Sequence, residues 1–245
     1  FPFATKGDLI RALLIPLTLL LRRTEVRGGS PLFFVTAPGA QTGKSLLART
    51  LFLAVLGRLP APMAFSSNDE EFKKSFMAAL MSSPSVIYYD NMPNGWSVGS
   101  RELDAYATAD EYIDRILGKS EQVTVPALST LVFCGNNIEP KDDTRTRTIE
   151  VRLLRQDTEN EDMKKALSFT AKHRAEILAA LRTVACQASV IGSTPSRFPD
   201  WEAKVAGPVI GLTGDRDLLK AVAEAQDSTE MNWHSEELEE VLTCI

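Results

Sequence analysis

The 245-residue chain contains 44% hydrophobic and 24% charged residues, with a formal net charge of −5. This composition excludes intrinsic disorder as the main state and suffices for one large globular domain, or for one domain with a small companion. The three cysteines lie far apart and are odd in number, which excludes a disulfide scaffold and favours a reducing, cytoplasmic compartment. With only two histidines, a dedicated zinc site is not expected.

The charge is unevenly distributed along the chain. Residues 1–58 carry eight lysines and arginines against Asp8 and Glu25, whereas the rest of the chain is acidic. A globally basic surface for nucleic acid is therefore excluded, and any contact with DNA must come from local loops. The longest apolar run, residues 12–21, is shorter than the roughly 20 residues of a membrane span, so we expect a buried helix and no membrane partner.

Predicted helices and strands alternate in the first part of the chain. A helix is predicted over residues 8–22, and the Gly28-Gly29-Ser30 segment marks its end. Short continuous apolar runs predict strands that are buried on both faces, as in a parallel sheet. The strands are predicted over 31–37, 63–66 and 86–89, and the helices over 44–56 and 69–81.

The alternation continues to residue 153. A helix is predicted over 101–117, a weak extended piece over 124–126, and strands over 128–134 and 148–153. This order predicts an α/β domain with a mostly parallel sheet flanked by helices. Beyond residue 155 the periodicity is helical, so we predict one domain over 1–157 and a helical subdomain over 158–245.

The most informative segment is PGAQTGKS, which lies directly between a predicted buried strand and a predicted helix. This is the context of a phosphate-binding P-loop, in which backbone N–H groups and the helix N-terminus surround the phosphates of ATP. Lys44 would neutralise the β- and γ-phosphates, and the Ser45 hydroxyl would bind Mg²⁺. In one departure from the pattern, Pro38 occupies the position of the usual first glycine. The predicted binding residues are Pro38, Gly39, Ala40, Gln41, Thr42, Gly43, Lys44, Ser45 and Leu46.

Polar residues follow two of the other predicted strands. Asp90 ends the run VIYYD, where a Mg²⁺-organising carboxylate is expected, although an ordinary turn would also place an Asp there. The next residue is Asn91, which cannot act as a general base. Asn136, in CGNN, is positioned to orient water near the γ-phosphate, although an Asn-Asn pair is also an ordinary turn signal.

Arg145 and Arg147 precede the last predicted strand. Arginines at such a position are often simply solvated, but in ring ATPases an arginine here reaches the γ-phosphate of the neighbouring subunit. In a parallel sheet the approach to this strand starts from the edge opposite to the P-loop. We therefore expect Arg147 to project outward and to act in trans, with Arg145 as the alternative.

Taken together and in this order, these elements resemble the ATPase domain of phage and prophage primase-helicase proteins, which is related to superfamily 3 helicases within the AAA+ class. The resemblance covers roughly residues 1–215. It is carried by the segments VTAPGAQTGKSLLA, EEFKK, VIYYDN, DRILG, FCGNN and DTRTRTIEVRL and by the later FPDW.

The resemblance implies a hexameric, ATP-driven motor that acts on DNA, with active sites at subunit interfaces. Compared with the family's paired arginines, Arg147 matches the second and Thr146 replaces the first. The resemblance also implies a DNA-contacting hairpin that includes Lys119. The general base must come from elsewhere in the chain. Glu71, on the helix before the Asp90 strand, is a candidate, although both Glu71 and Lys119 have ordinary solvated alternatives.

Two other functions fit parts of the pattern. The first is a nucleotide-controlled DNA-binding or assembly module with little ATP turnover, which Asn91 and Pro38 would suit. The second is a small-molecule P-loop kinase, against which the helical tail, Asn136 and the two arginines argue. The leading hypothesis is the ATP-hydrolysing motor domain of a phage or mobile-element replicative DNA helicase.

Overall fold

The computed structural model describes residues 1–115, 122–155, 161–190 and 197–219. At its centre is a four-stranded sheet whose strands are all parallel. Its order is β2 (Val86–Met92), β6 (Thr130–Asn136), β1 (Leu32–Ala37) and β8 (Thr148–Arg152). β1 is buried along its whole length and pairs with β6 on one side and β8 on the other. The mostly parallel sheet predicted from short apolar runs is therefore confirmed.

Four helices precede or interrupt the sheet in the chain. They are α1 (Lys6–Leu21), α2 (Lys44–Leu56), α3 (Asp69–Met81) and α4 (Arg101–Thr108). Alternation along β2 shows that helices cover both faces, because successive side chains of a strand point to opposite sides. The ring of Tyr88 packs edge-on against Phe52 of α2, whereas the ring of Tyr89 contacts Phe72 of α3.

Two small sheets flank the central one. β3 (Ser97–Val98) pairs in parallel with β7 (Glu139–Pro140), and β4 (Glu111–Arg115) pairs antiparallel with β5 (Gln122–Pro126). A 3-10 segment, Asp142–Arg147, leads directly into β8. β7 and this segment connect the end of β6 to the start of β8.

Helices follow the sheet in the chain and pack against its first helices. They are α5 (Glu161–Lys172), α6 (Arg174–Ala185), α7 (Pro199–Trp201) and α8 (Gly207–Thr213). Both α5 and α6 contact α2, and Arg174 Nη2 donates to the Val55 carbonyl at 2.8 Å. The indole Nε1 of Trp201 donates to Thr18 Oγ1 of α1 at 2.9 Å. The boundary predicted at 157/158 lies outside the described residues.

The helix predicted over 101–117 is wrong between Thr108 and Arg115, and its last two residues lie outside the described residues. The last turn of α4 ends where the Ala107 carbonyl accepts from Ser30 N at 2.8 Å, and a side chain at Gly29 would collide with that carbonyl. The chain then turns at Asp110 and pairs as β4 with β5. Strand pairing over a distance overrides local helical propensity here.

Smaller differences concern strand ends. The strand predicted over 128–134 runs two residues later in the structure, and the strand predicted over 86–89 continues to Met92. The strand predicted over 63–66 is reduced to a single parallel bridge between Met63 and Tyr89. The apolar runs correctly predicted which segments are buried, but pairing with neighbouring strands decided where each strand ended.

Candidate functional site

The predicted site residues after β1, β2 and β6 come together at one edge of the central sheet. All four strands are parallel, so their carboxyl ends face the same edge. The β1–α2 loop, Pro38–Gly43, leaves this edge and leads into α2, as the sequence predicted.

The β1–α2 loop is shaped by backbone conformations that few residues adopt. Gln41 has φ 61° and Gly43, which caps α2, has φ 86°. A Cβ added at Gly39 would meet nothing within 4 Å, so open space lies beside the loop. Pro38, Ala40 and Gln41 are exposed, Gly39, Gly43, Ser45 and Leu46 are half-buried, and Thr42 and Lys44 are buried.

The first turn of α2 differs from those of the three neighbouring helices. α1, α3 and α4 each begin with a capping residue, Thr5, Asn68 and Ser100 respectively, whose side chain accepts a hydrogen bond from a backbone N–H of the first helical turn. α2 begins at Gly43 without a side-chain cap. Its first amides, together with the positive end of the helix dipole, are therefore available to an anion.

Lys44 is a buried cation held by neutral partners. Its side chain folds back over the loop, and Nζ donates to the Gly39 carbonyl and to Thr42 Oγ1, both at 2.8 Å. Burial lowers the pKa of Lys44, while the neighbouring Cys134 and Asp90 act in the opposite direction. A buried cation without a paired carboxylate on Nζ is suited to receive an anionic ligand.

Ser45 and Asp90 are in direct contact. Ser45 Oγ donates to Asp90 Oδ1 at 2.7 Å, and the same oxygen accepts from Asn91 N at 2.8 Å. The pairing of β2 with β6 shifts register between Tyr89 and Met92, and Asn91 has φ 55°. This irregularity interrupts the regular ladder at Asp90, which is half-buried within β2 rather than at an exposed strand end.

The turn after β6 brings two asparagines to the same edge. Asn136 ends β6 opposite Ala37 and is half-buried. Asn137, which the sequence analysis did not select, has φ 49° and donates through Nδ2 to the Pro38 carbonyl at 3.4 Å and to Asn94 Oδ1 at 2.9 Å. An asparagine tolerates this left-handed conformation, which was the available sequence signal.

Two buried groups lie beneath these residues. The Cys134 side chain is fully buried, and its pKa is raised by burial and by Asp90. The pKa of Tyr88 is raised by burial, by Cys134 and by Asp90. Both groups are therefore neutral below a site whose charges belong to Lys44 and Asp90.

Arg147 contradicts the expectation that it projects outward. Its side chain is only 10% exposed and forms an ion pair with Asp143 at 2.9 Å, and Nη1 also donates to the Asp143 carbonyl. The 3-10 segment folds the Arg147 side chain back onto its own preceding turn. Arg145 is the exposed arginine of the pair, with Nη2 donating to the Pro140 carbonyl at 3.2 Å. As expected from the parallel pairing, the segment enters β8 at the edge opposite to the β1–α2 loop.

Of the two remaining candidates, Glu71 is not joined to this site. Glu71 is exposed in the first turn of α3, and its carboxylate pairs with Lys74 at 3.0 Å. Lys119 lies outside the described residues. In the described part of the chain no group of three or more His, Cys, Asp or Glu side chains could hold a metal ion, and no helix has the length and apolar composition of a membrane span.

No protein-family model matches the chain, and no curated protein matches it. Among solved structures, the chain is similar to the C-terminal region of NrS-1 in its A-form apo state, with 11% identity and a TM-score of 0.44 over 90% of this chain. It is also similar to the SCCmec type IV Cch active helicase, with 16% identity and a TM-score of 0.42 over 97% of this chain. The chain spans 52% of the length of each. Similarity at this level does not transfer a function.

Proposed function

We propose that this chain is the ATP-hydrolysing motor domain of a replicative DNA helicase of the primase-helicase type, from a phage or another mobile element. The observation that supports this most is the 2.7 Å hydrogen bond from Ser45 Oγ to Asp90 Oδ1, directly beside the buried cation of Lys44. A hydroxyl, a carboxylate and a cation at the uncapped start of a helix are the groups that a Mg²⁺–nucleotide polyphosphate requires.

The residues present fit Mg²⁺-ATP. Phosphate oxygens would be held by Lys44 and by the backbone N–H groups of the β1–α2 loop and the first turn of α2. Ser45 and Asp90 would hold Mg²⁺, which accepts one or two protein oxygens and takes its other ligands from phosphate and water. When bound, the metal offsets the charge that develops on the transferred phosphoryl group.

Each protein group has a separate role in the proposed hydrolysis. Lys44 exchanges its neutral partners, the Gly39 carbonyl and Thr42 Oγ1, for phosphate oxygens. Asn136, at the end of β6 beside β1, orients the attacking water. Asn91 can hold water by hydrogen bonds but takes no proton, so the proton acceptor comes from outside β2, with Glu71 as the candidate within this chain.

DNA binding and ring assembly belong to the same proposal. Lys119 lies in the chain between β4 and β5, which pair antiparallel, and it is the proposed DNA contact. A hexameric ring would bring the exposed Arg145 of one subunit to the nucleotide of the next. Arg145 replaces Arg147 as the first choice for this role because Arg147 is buried in an ion pair.

Asn91 favours a second candidate function. It directly follows Asp90, where many ATPases carry a glutamate, and the proposed base, Glu71, is paired with Lys74. A chain with these features could bind ATP and change its contacts with DNA while hydrolysing it slowly. This alternative is a nucleotide-controlled DNA-binding or assembly module.

Replacing Lys44 tests the nucleotide site. Lys44→Ala is expected to weaken Mg²⁺-ATP binding by at least tenfold, about 1.4 kcal/mol, because it removes the cation held beside the loop. Titration calorimetry on the full chain measures this. Lys141→Ala, which removes an exposed lysine with a long 3.7 Å contact to Asp142, serves as the control and should bind as the parent does. Equal affinity of Lys44→Ala and the parent would contradict the phosphate site.

Phosphate release with and without single-stranded DNA separates the two candidate functions. The motor requires turnover that DNA stimulates. A chain that binds ATP through Lys44 but releases no phosphate under either condition would favour the assembly module instead.

A further inference from the structure

β2 contains two adjacent buried tyrosines whose hydroxyl groups are both unpaired. Tyr88 is 1% exposed and Tyr89 is fully buried. Within the described part of the chain, neither hydroxyl makes a hydrogen bond of regular geometry, although the Tyr88 hydroxyl lies close to Asp90 and Ser45. Buried polar groups are nearly always paired, so each of these hydroxyls calls for an explanation.

The two tyrosines lie on opposite faces of the sheet. The ring of Tyr88 contacts Phe52 of α2 at a centroid distance of 5.1 Å, whereas the ring of Tyr89 stacks on Phe133 at 4.9 Å and packs against Phe65. Asp90 also lies on the α2 side, since it accepts from Ser45. The Tyr88 hydroxyl is thus on the same side as the candidate metal ligand, and the Tyr89 hydroxyl is on the other side.

Asp90 has room for another donor. In the described structure both of its hydrogen bonds, from Ser45 Oγ and from Asn91 N, fall on Oδ1. An ionised carboxylate accepts up to about four hydrogen bonds or metal bonds. A tyrosine phenol is protonated at neutral pH and can therefore donate a hydrogen bond to a carboxylate.

We propose that Tyr88 is a positioning residue for the metal site, whose hydroxyl donates to the Asp90 carboxylate when Mg²⁺-nucleotide is bound. This inference rests on the proposed function. Ser45 supplies the side-chain donor to Asp90 in the present structure and is itself a proposed metal ligand. Once Ser45 is engaged by the metal, a second fixed donor keeps the carboxylate in one orientation, as outer hydrogen bonds do for metal ligands in general.

The tyrosine pair provides its own control experiment. Tyr88→Phe and Tyr89→Phe each remove one buried, unpaired hydroxyl and leave the ring in place. Neither change should lower the unfolding temperature without nucleotide, because removing an unpaired buried group costs nothing in packing. A purely structural role predicts the same behaviour for both variants in every further measurement.

The distinguishing measurement is the Mg²⁺ dependence of nucleotide binding, followed with a fluorescent ATP analogue. Tyr88→Phe is expected to need about three- to tenfold more Mg²⁺ for half-maximal binding, the effect of one net hydrogen bond. Tyr89→Phe should match the parent, and in EDTA all three chains should bind the analogue equally. The readout is binding of the metal, so it does not depend on turnover.

Two results would overturn the proposal. An unchanged Mg²⁺ requirement in Tyr88→Phe, or the same shift in both variants, would remove the positioning role while leaving the nucleotide site intact. If the parent chain shows no Mg²⁺-dependent nucleotide binding at all, the proposed function fails and this inference fails with it.

Discussion

Asp90 is the residue on which the proposed metal site depends most. It is half-buried in β2 and accepts from Ser45 and Asn91 through a single oxygen. An asparagine has the same shape and keeps an acceptor oxygen for both donors, but it removes the negative charge. Asp90→Asn therefore separates the role of the charge from the role of the local hydrogen bonds.

Asp90→Asn is expected to reduce Mg²⁺-dependent phosphate release on the order of a hundredfold or more, the usual size of one lost electrostatic contribution at a reacting centre. Its unfolding temperature should stay within a few degrees of the parent. Asp69→Asn, which neutralises an exposed carboxylate in the first turn of α3, is the matched control. Undiminished turnover in Asp90→Asn would show that Asp90 is an ordinary turn residue and has no role in metal binding.

At the scale of elements, a buried carboxylate joins α1 to the edge strand β8. Asp8 accepts from Thr5 Oγ1 at 2.6 Å, from Arg11 Nη2 at 2.8 Å and from the backbone N of Arg152 at 3.0 Å. Arg11 also donates to the Glu150 carbonyl of β8 at 2.9 Å. These hydrogen bonds fix α1 beside β8, the strand that pairs with β1.

This junction makes stability depend on pH. Burial alone would raise the pKa of Asp8, but the hydrogen bonds from Thr5, Arg11 and Arg152 outweigh it and lower that pKa. A carboxyl with a lowered folded-state pKa contributes stability above its unfolded pKa of about 3.9 and loses that contribution as pH falls through the folded value. The Asp8 contribution is therefore complete at neutral pH.

Asp8→Asn is expected to lower the free energy of unfolding at pH 7 by about 1–3 kcal/mol, because it leaves buried donors poorly paired. The gap to the parent should narrow below pH 4, where Asp8 of the parent also becomes neutral. Denaturant titrations of both chains at several pH values measure this. A gap of constant size from pH 7 to pH 3 would show that the charge of Asp8 contributes nothing.

At the scale of the whole molecule, the proposed catalytic unit is larger than one chain. The sheet edge that carries Lys44 and Asp90 is opposite to the edge at which the 3-10 segment enters β8. Arg145 is exposed on this segment, whereas Arg147 pairs with Asp143. An arginine in that position can assist phosphoryl transfer only at the nucleotide of another copy of the chain.

Mixing variants tests this arrangement. Arg145→Ala alone should lose about 10³–10⁵ in turnover, as arginine fingers do, with an unchanged unfolding temperature, and Lys44→Ala alone should be inactive. Mixed oligomers of the two should recover part of the activity, because some interfaces combine an intact Lys44 with an intact Arg145. Arg147→Ala is the structural comparison and should lower the unfolding temperature. Full activity of Arg145→Ala, or no recovery in proven mixed oligomers, would exclude the trans role.

Local patterns predicted much of this protein. The buried runs that became β1, β2, β6 and β8, the glycine-containing loop and the start of α2 at Lys44 all follow from neighbouring residues. The contact between Ser45 and Asp90 was also implicit, because parallel strands end at a common edge. These features depend on burial and on backbone preferences, which act over a few residues.

Only the tertiary structure decided the rest. The segment after Thr108 became a strand because β5 was there to pair with it. The different surroundings of Tyr88 and Tyr89 were also decided by the tertiary structure. Both have the same side chain in the same strand, and only the element packed on each face distinguishes them. Contacts between residues distant in the chain have no local signature, which is the physical reason that the sequence by itself left them open.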